Sequence, residues 1–406
     1  MDSPPLDPVR RHAIAFVLIA VFLDMVGFGL IIPVLPSLIA QVGHLDLAQA
    51  SRIGGWMFAA FSLAQFLFAP LMGTLSDRFG RRPLLLLAIG GLGVDYVLHA
   101  LAPTLAWLFV GRIIAGICGA SYVIANAYLA DITPPEGRAR AFGLIGAAFG
   151  FGFIAGPALG GFLGELGPRV PFFAAAGLSV LNLVYGIFVL PESLPGSRRR
   201  AIRWASCNPF GTLTVFRQYP GVLPMGAALG VYLFASAVYP AIWPYWGMAK
   251  FGWSEGVVGI TLAAYGIVAA AFQGGLAGPL ARRFGEARVA MTGLWLGAVL
   301  AVALGLSQNL AMVLIILAVT GIEGLVQPMV GSLMSNAVPE DAQGALQGGI
   351  SAVMNLAMLA GTLFFTQIFG IFLAEGAPIR TPDMAFYVSG AILLVALVLF
   401  QRARKV

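Results

Sequence analysis

GTLSDRFGRRP at Gly73–Pro83 and GPLARRFGEAR at Gly278–Arg288 are one loop written twice, 205 residues apart in a chain of 406. The same offset lays ADITPPEGRARAFG, from Ala130, on SNAVPEDAQGALQG, from Ser335, with Pro134 over Pro339 and Gly143 over Gly348. Two separate loops agreeing on one offset mark an internal duplication. Each loop joins two long apolar runs, so what is repeated is a set of membrane segments.

The composition supports this. Hydrophobic residues make up 59% of the chain and charged residues 10%, with a mean hydropathy of +0.91, outside the range of soluble globular proteins. Apolar stretches near the length that crosses a bilayer as a helix recur twelve times, at approximately 13–36, 53–75, 83–102, 105–130, 141–164, 171–190, 221–246, 256–281, 289–306, 310–336, 343–372 and 384–401. The first carries Asp24 and ends in VLPSL instead of a small-residue cleavage site, so it reads as a retained span and not a signal peptide. The expected fold is an all-α membrane protein, twelve transmembrane helices in two pseudo-symmetric six-helix bundles. The division is a bundle at 1–190, a linker at 191–220 and a second bundle at 221–406. Parallel repeats of this kind put a substrate site near the midplane between the bundles and work by alternating access.

Eighteen of the 23 Lys and Arg fall on the side that holds both chain ends, against Arg52, Arg169, Lys250 and Arg380 on the other. The positive-inside rule then places both termini in the cytoplasm. The net charge of +6 is accounted for by basic loops facing anionic lipid, and no nucleic-acid partner is implied. Cys118 lies inside a span and Cys207 in the linker, so both read as free thiols, with neither a disulfide nor a metal site suggested.

Four ionisable residues lie well inside spans: Asp24, Asp95, Arg112 and Glu323. At ~1.5 Å rise per residue, each acid is roughly 18–20 Å from the start of its span, near the midplane, and Arg112 is ~10 Å from the outer end of the fourth. A charge at that depth costs at least ~2.5–3.5 kcal/mol, so such residues face a wet cavity, pair, or take a proton. Arg112 stays protonated and is a counter-ion for either Asp24 or Asp95. The polar span residues Gln65, Asn126, Gln273, Gln327 and Asn355 offer hydrogen bonds to a substrate or between helices. Tyr239, Trp243, Tyr245 and Trp246 sit at the outer end of the seventh span, where an aromatic belt is expected. His99, four residues after Asp95, shares its helix face.

At this point GTLSDRFGRRP resembles the signature loop of the major facilitator superfamily. LFVGRIIAGICGA, from Leu108, resembles its fourth-helix motif, and GFIAGPALGG, from Gly152, its antiporter-associated fifth-helix motif. FLDMVGFGLIIPVLP, VDY at 94–96 and AGICGASYVIANAYLADIT make the chain similar to the tetracycline-efflux branch of the drug:proton antiporters, closely in the N-terminal half and loosely in the C-terminal half. The resemblance implies the major facilitator fold and functional roles for Asp24, Asp95 and Arg112. It further implies a cytoplasmic latch holding the outward-open state, built on Gly73, Asp77, Arg78, Gly80, Arg81, Arg82 and Asp131, with Asp77 against the N-terminal end of the eleventh helix. In the second copy Asp77 becomes Arg282, so a symmetric latch is not expected. Gly152, Gly156, Pro157, Gly160 and Gly161 form a close-packing and bending stripe, which by resemblance favours antiport. The histidine of helix 8 and aspartate of helix 9 typical of that branch are missing: Ala269 and Gly297 stand there. Glu323 occupies a position where the branch has a small residue, which suggests either a replacement proton or cation site or a local packing role.

The function these readings imply is export of a small amphipathic or cationic drug, such as a tetracycline-like compound, in exchange for protons across a bacterial inner membrane. The protein would act as a monomer without cofactor, in contact with membrane lipid and with no metal site of its own. The chain has no G-x-x-x-x-G-K-[ST] loop for ATP. Rival readings are a carrier of an endogenous metabolite, a receptor without flux, and an intramembrane hydrolase using Ser121 and His99.

Overall fold

With no water in the bilayer to satisfy its amides, an apolar run closes its hydrogen bonds within itself, and each of the twelve runs is helical. The structure, a computed structural model, describes residues 8–119, 121–134, 137–199, 214–219, 221–339 and 342–404. Half of the expected linker, with Cys207, lies outside the described residues. The spans are His12–Ile31, Leu47–Phe79, Arg81–Leu101, Leu105–Ile132, Ala141–Gly164, Val170–Val189, Val222–Phe251, Glu255–Phe284, Glu286–Leu306, Leu310–Asn336, Gln343–Leu373 and Met384–Ala403; they are numbered 1 to 12 in that order. An even number puts both chain ends on one side, here termed the terminal face, opposite the far face.

The duplication is visible in the backbone. Gly80 and Gly285, the glycines of the two copied loops, both take positive φ, 109° and 82°, a region that suits glycine. Each is a one-residue turn between consecutive spans, 2 to 3 and 8 to 9. Breaks also repeat at the same offset. Span 1 ends in a turn at 32–34 and a short helix, Leu35–Gly43, continues it; span 7 breaks at Ala237. Span 4 is interrupted after Cys118, and span 10 passes through a 3-10 turn at Glu323–Leu325. Spans 1, 4, 7 and 10 are thus each interrupted, a feature hydropathy does not register.

Small residues set the packing. On span 5, a Cβ on Gly152 would come 2.7 Å from the Phe22 carbonyl oxygen and one on Gly156 2.7 Å from the Gly29 Cα, while one on Gly160 would overlap the Leu30 backbone. That stripe is the seat of span 1. Gly161 faces the other way, onto the backbone of Glu255 at the start of span 8, and Gly259 of span 8 lies on the Pro157 carbonyl. Gly156→Val should therefore cost ~1–3 kcal/mol by overpacking and lower the melting temperature of the purified protein. Gly143→Val, in the same helix where a Cβ meets nothing within 4 Å, should leave it unchanged; equal losses in both would refute this account of the stripe.

The core is shared on one side and split on the other. Toward the far face, Val26, Leu30, Met57, Ile242, Trp246, Phe365 and Phe369 belong to a single buried cluster drawn from both halves. Toward the terminal face one cluster holds Phe16, Met72, Tyr128 and Ile145, and a separate one Phe216, Val289, Met334 and Phe400. Cβ atoms on Gly73, Gly146, Gly150, Gly274, Gly275, Gly278 and Gly344, along the terminal-face parts of spans 2, 5, 8 and 11, would meet nothing within 4 Å. The halves touch at the far face and part toward the terminal face.

Candidate functional site

Between the halves lies a cavity of about 430 Å³, in the range that takes a drug-sized molecule. Phe28, Phe58, Phe61 and Phe153 form one side; Tyr232, Tyr239, Trp243, Tyr245 and Tyr265 form the other. Its charged lining residues are Arg112 and Glu323, one from each half.

Arg112 belongs to a buried cluster on span 4. Its Nη2 donates to Asp95 Oδ2 at 2.5 Å and its Nε to His99 Nε2 at 3.2 Å. Of the two carboxylates open to Arg112 in the sequence, the structure pairs it with Asp95. Asp95 and His99 are one helical turn apart on span 3 and wholly buried, so both face the same neighbour. A guanidinium can only donate, so His99 Nε2 must accept, which leaves the imidazole neutral with its proton on Nδ1. That nitrogen donates to the Asp95 carbonyl oxygen at 3.0 Å and stands 2.9 Å from Oδ1. The ring stacks on Phe172, centroids 5.2 Å apart. His99 is thus a member of the charge cluster, and its i, i+4 spacing from Asp95 is the sequence signal that points to it.

Asp24 stands apart from that pair. It is 6% exposed, one carboxylate oxygen, Oδ1, has no hydrogen-bond partner, and Ser121 hydrogen-bonds the carboxylate. Ser121 and His99 are therefore engaged with different partners, and the nucleophile–base pair a hydrolase would require is not formed.

Glu323 opens the 3-10 turn of span 10 and is 3% exposed. Ser236 Oγ donates to Oε1 at 2.8 Å and Tyr239 Oη to Oε2 at 3.0 Å. The Glu323 backbone carbonyl, which takes the Val326 N–H within the turn, also accepts from Tyr232 Oη at 3.0 Å. Beside it, span 8 widens into a π-helical turn at Phe272–Leu276, bringing Gln273 against Gly324.

The other polar candidates separate. Gln273 and Gln327 line the cavity; Gln65, Asn126 and Asn355 do not. Gln65 donates to the Gly119 carbonyl at the break in span 4, an interhelical bond. The expected aromatic belt on span 7 is a correction: Trp243, Tyr245 and Trp246 are 3%, 5% and 0% exposed. Span 7 runs between the halves, so its outer rings turn inward. Trp246 Nε1 and Lys250 Nζ both reach Asp383 Oδ1, at 2.7 and 2.8 Å.

At the terminal face Arg81 joins Asp77 (2.5 Å), Asp131 (3.1 Å) and the Ser76 hydroxyl. Glu192 accepts the backbone N–H groups of Arg81 and Arg82, filling the helix N-terminus beyond Gly80. Arg82 donates to the Ile187 carbonyl, whereas Arg78 lies over the Phe79 ring. This network is closed within the N-terminal half; among the described residues the bonded partner of Asp77 is Arg81, and Gln343 at the start of span 11 bonds Ser335 and Val338 instead. At the far face the bonds run between halves: Ser37 to Glu255, Ser254 to Glu165, and Arg52 with Gln367 twice.

Comparison with known proteins gives the same architecture. The Major Facilitator Superfamily model matches residues 17–237 and 224–406. The chain is 38% identical to the tetracycline resistance protein, class C, of Escherichia coli over 97% of both chains. It is 36% identical to the class G protein of Vibrio anguillarum over 88% of this chain and 91% of that one. Multidrug resistance protein 2 of Bacillus subtilis (strain 168) is 29% identical over 88% and 90%. Among solved structures, an inward-facing, unoccupied bacterial homolog of the human lysosomal transporter Spinster superposes with a TM-score of 0.80 at 17% identity, covering 99% of this chain and 98% of that one.

Proposed function

This chain belongs to the major facilitator superfamily, and from that premise we propose that it is a secondary transporter exporting a tetracycline-like or other small amphipathic drug in exchange for protons. It is a transporter and not an enzyme, an integral protein of the inner membrane. The class C relative, 38% identical along nearly the whole chain, supports the drug class.

The observation that carries the exchange reading is the unequal state of the four buried charges. Asp95 and Arg112 neutralise each other, whereas Asp24 and Glu323 have no cationic partner among the described residues. An acid at mid-depth without a partner takes its positive charge from a proton or a substrate, and alternation between the two is exchange. Arg112, held by Asp95 and His99, would set the field in which Asp24 and Glu323 work. Gln273 and Gln327 would orient the substrate. Residues 1–190 and 221–406 would rock about the far-face seam, joined by 191–220, with both termini cytoplasmic and the terminal face opening inward. The loop at Gly73–Arg82 with Asp131 would latch the alternate state, releasing its contact to span 11 in the state described here. The acting unit would be the monomer, driven by the proton gradient.

Tetracycline added to proteoliposomes bearing an internal pH dye and an imposed proton gradient should drive proton movement. Asp24→Asn, which keeps the shape and removes the titratable group, should abolish that response while the protein remains folded. A wild-type protein giving no drug-dependent pH change, or an Asp24→Asn response equal to wild type, would overturn the reading.

A further inference from the structure

Glu323 is held in a place made for it. On the neighbouring span 9, position 297 is glycine, and a Cβ there would stand 2.9 Å from the Glu323 Cδ and 3.1 Å from Oε2. The carboxylate lies in the notch left by that missing side chain. Both oxygens accept hydrogen bonds from neutral hydroxyls, Ser236 and Tyr239, which lower the cost of burial but supply no charge. No Lys, Arg or His pairs with it among the described residues. Across the cavity, Arg112 already has its guanidinium on Asp95 and His99. One negative pole is left over, on the C-terminal wall, in an otherwise mostly apolar cavity.

That imbalance selects a ligand. An uncompensated buried carboxylate is costly, and a cation with a hydrophobic body offsets the charge while replacing water against Phe58, Phe153 and Trp243. Tyr239 and Tyr265 line the same cavity, and their ring faces add attraction for a desolvated cation. A ligand leading with its own carboxylate would bring a second negative charge to Glu323 and gain nothing from the committed Arg112.

We infer that Glu323, seated on Gly297, is the docking point for the positive pole of a hydrophobic monocation. The inference deepens the proposed function, since it rests on the central cavity being the substrate site. A single positive charge on an apolar body arises in two ways, as an onium ion or as a neutral-to-anionic drug carrying a divalent metal.

Tetraphenylphosphonium, titrated calorimetrically into the purified full chain in detergent with EDTA present, is the probe for the first source; tetracycline with Mg²⁺ is the probe for the second. Tetraphenylphosphonium should bind the wild type. Glu323→Gln should weaken it by at least about tenfold, and Glu323→Asp, which keeps the charge, should retain it within a few-fold. Gly297→Ala, which fills the notch, should weaken binding without removing the acid. Circular dichroism and thermal melting establish that each variant is folded; should Glu323→Gln not fold, the Glu323→Asp and Gly297→Ala pair carries the test. Binding of tetracycline with Mg²⁺ that depends on Glu323, with no binding of tetraphenylphosphonium, would assign the site to the metal-bearing source. Binding of both probes indifferent to Glu323→Gln would overturn the inference, as would binding of neither. Tetracycline-driven proton flux is read separately. Flux intact with Glu323-independent binding removes this inference alone, whereas Glu323-dependent binding without flux removes the exchange reading and leaves the cation site.

Discussion

Arg112→Ala is expected to destabilise the protein by ~3–5 kcal/mol, because it strands a buried carboxylate. Asp95 is 0% exposed, its Oδ1 already has no hydrogen-bond partner, and Arg112 is the cation on Oδ2. The substitution also removes the donor to His99 Nε2 and a guanidinium 5.8 Å from the Phe61 ring centroid. A lower melting temperature in detergent and loss of the monodisperse species on size exclusion are the measurements. The double variant Asp95→Asn with Arg112→Gln should recover much of the stability, since two neutral amides can bond each other, but it should not recover transport. A single variant as stable as the wild type would show that the cluster is not what holds spans 3 and 4 in register.

The second large effect belongs to the far-face seam. Gly259 of span 8 rests on the Pro157 carbonyl of span 5, and Gly161 on the backbone of Glu255; both glycines are contacts between halves. Gly259→Leu puts four carbons where there is no room for one, so spans 5 and 8 must separate there. The state described here would be lost, and because the cycle must pass through it, transport should fall by more than about tenfold. The remaining protein should populate the opposite state. A cysteine introduced as Gly278→Cys, at an open position on the terminal-face part of span 8, reports this: its alkylation by a membrane-impermeant maleimide should slow sharply when Gly259→Leu is added. Unchanged labelling and transport would mean that span 5 and span 8 do not meet closely in any working state.

Much of this was readable from the residues. The twelve spans followed from hydropathy, because apolar length in a bilayer has few outcomes. The duplication followed from two loops at one offset, and the backbone repeats it at Gly80 and Gly285. The four buried charges were visible because so few are tolerated at that depth. Their pairing was not. Asp24, Asp95 and Arg112 lie on three different helices, and which acid meets the guanidinium depends on helix rotation, which spacing along one helix does not report. His99 joins the cluster through a contact from span 4 for the same reason. The notch under Glu323 is a relation between a residue present on one helix and a side chain missing from another. Glycine at 297 reads in the sequence as a loss; in the structure it is space that Glu323 fills. The inward-turned rings of span 7 were misread because membrane-facing and cavity-facing aromatics share the same depth, and sequence depth carries no azimuth.

The interruptions in spans 1, 4, 7 and 10 change what kind of machine the two bundles make. A continuous helix is a rod, and rods of this length transmit displacement from one membrane surface to the other undiminished. An interrupted rod is two shorter levers with a joint, and in spans 4 and 10 a side chain from another helix bonds the backbone at the joint, Gln65 to the Gly119 carbonyl and Tyr232 to the Glu323 carbonyl. All four interrupted spans line the chamber, and their breaks fall at the offset of the duplication, so the two halves bring their joints to equivalent places on its wall.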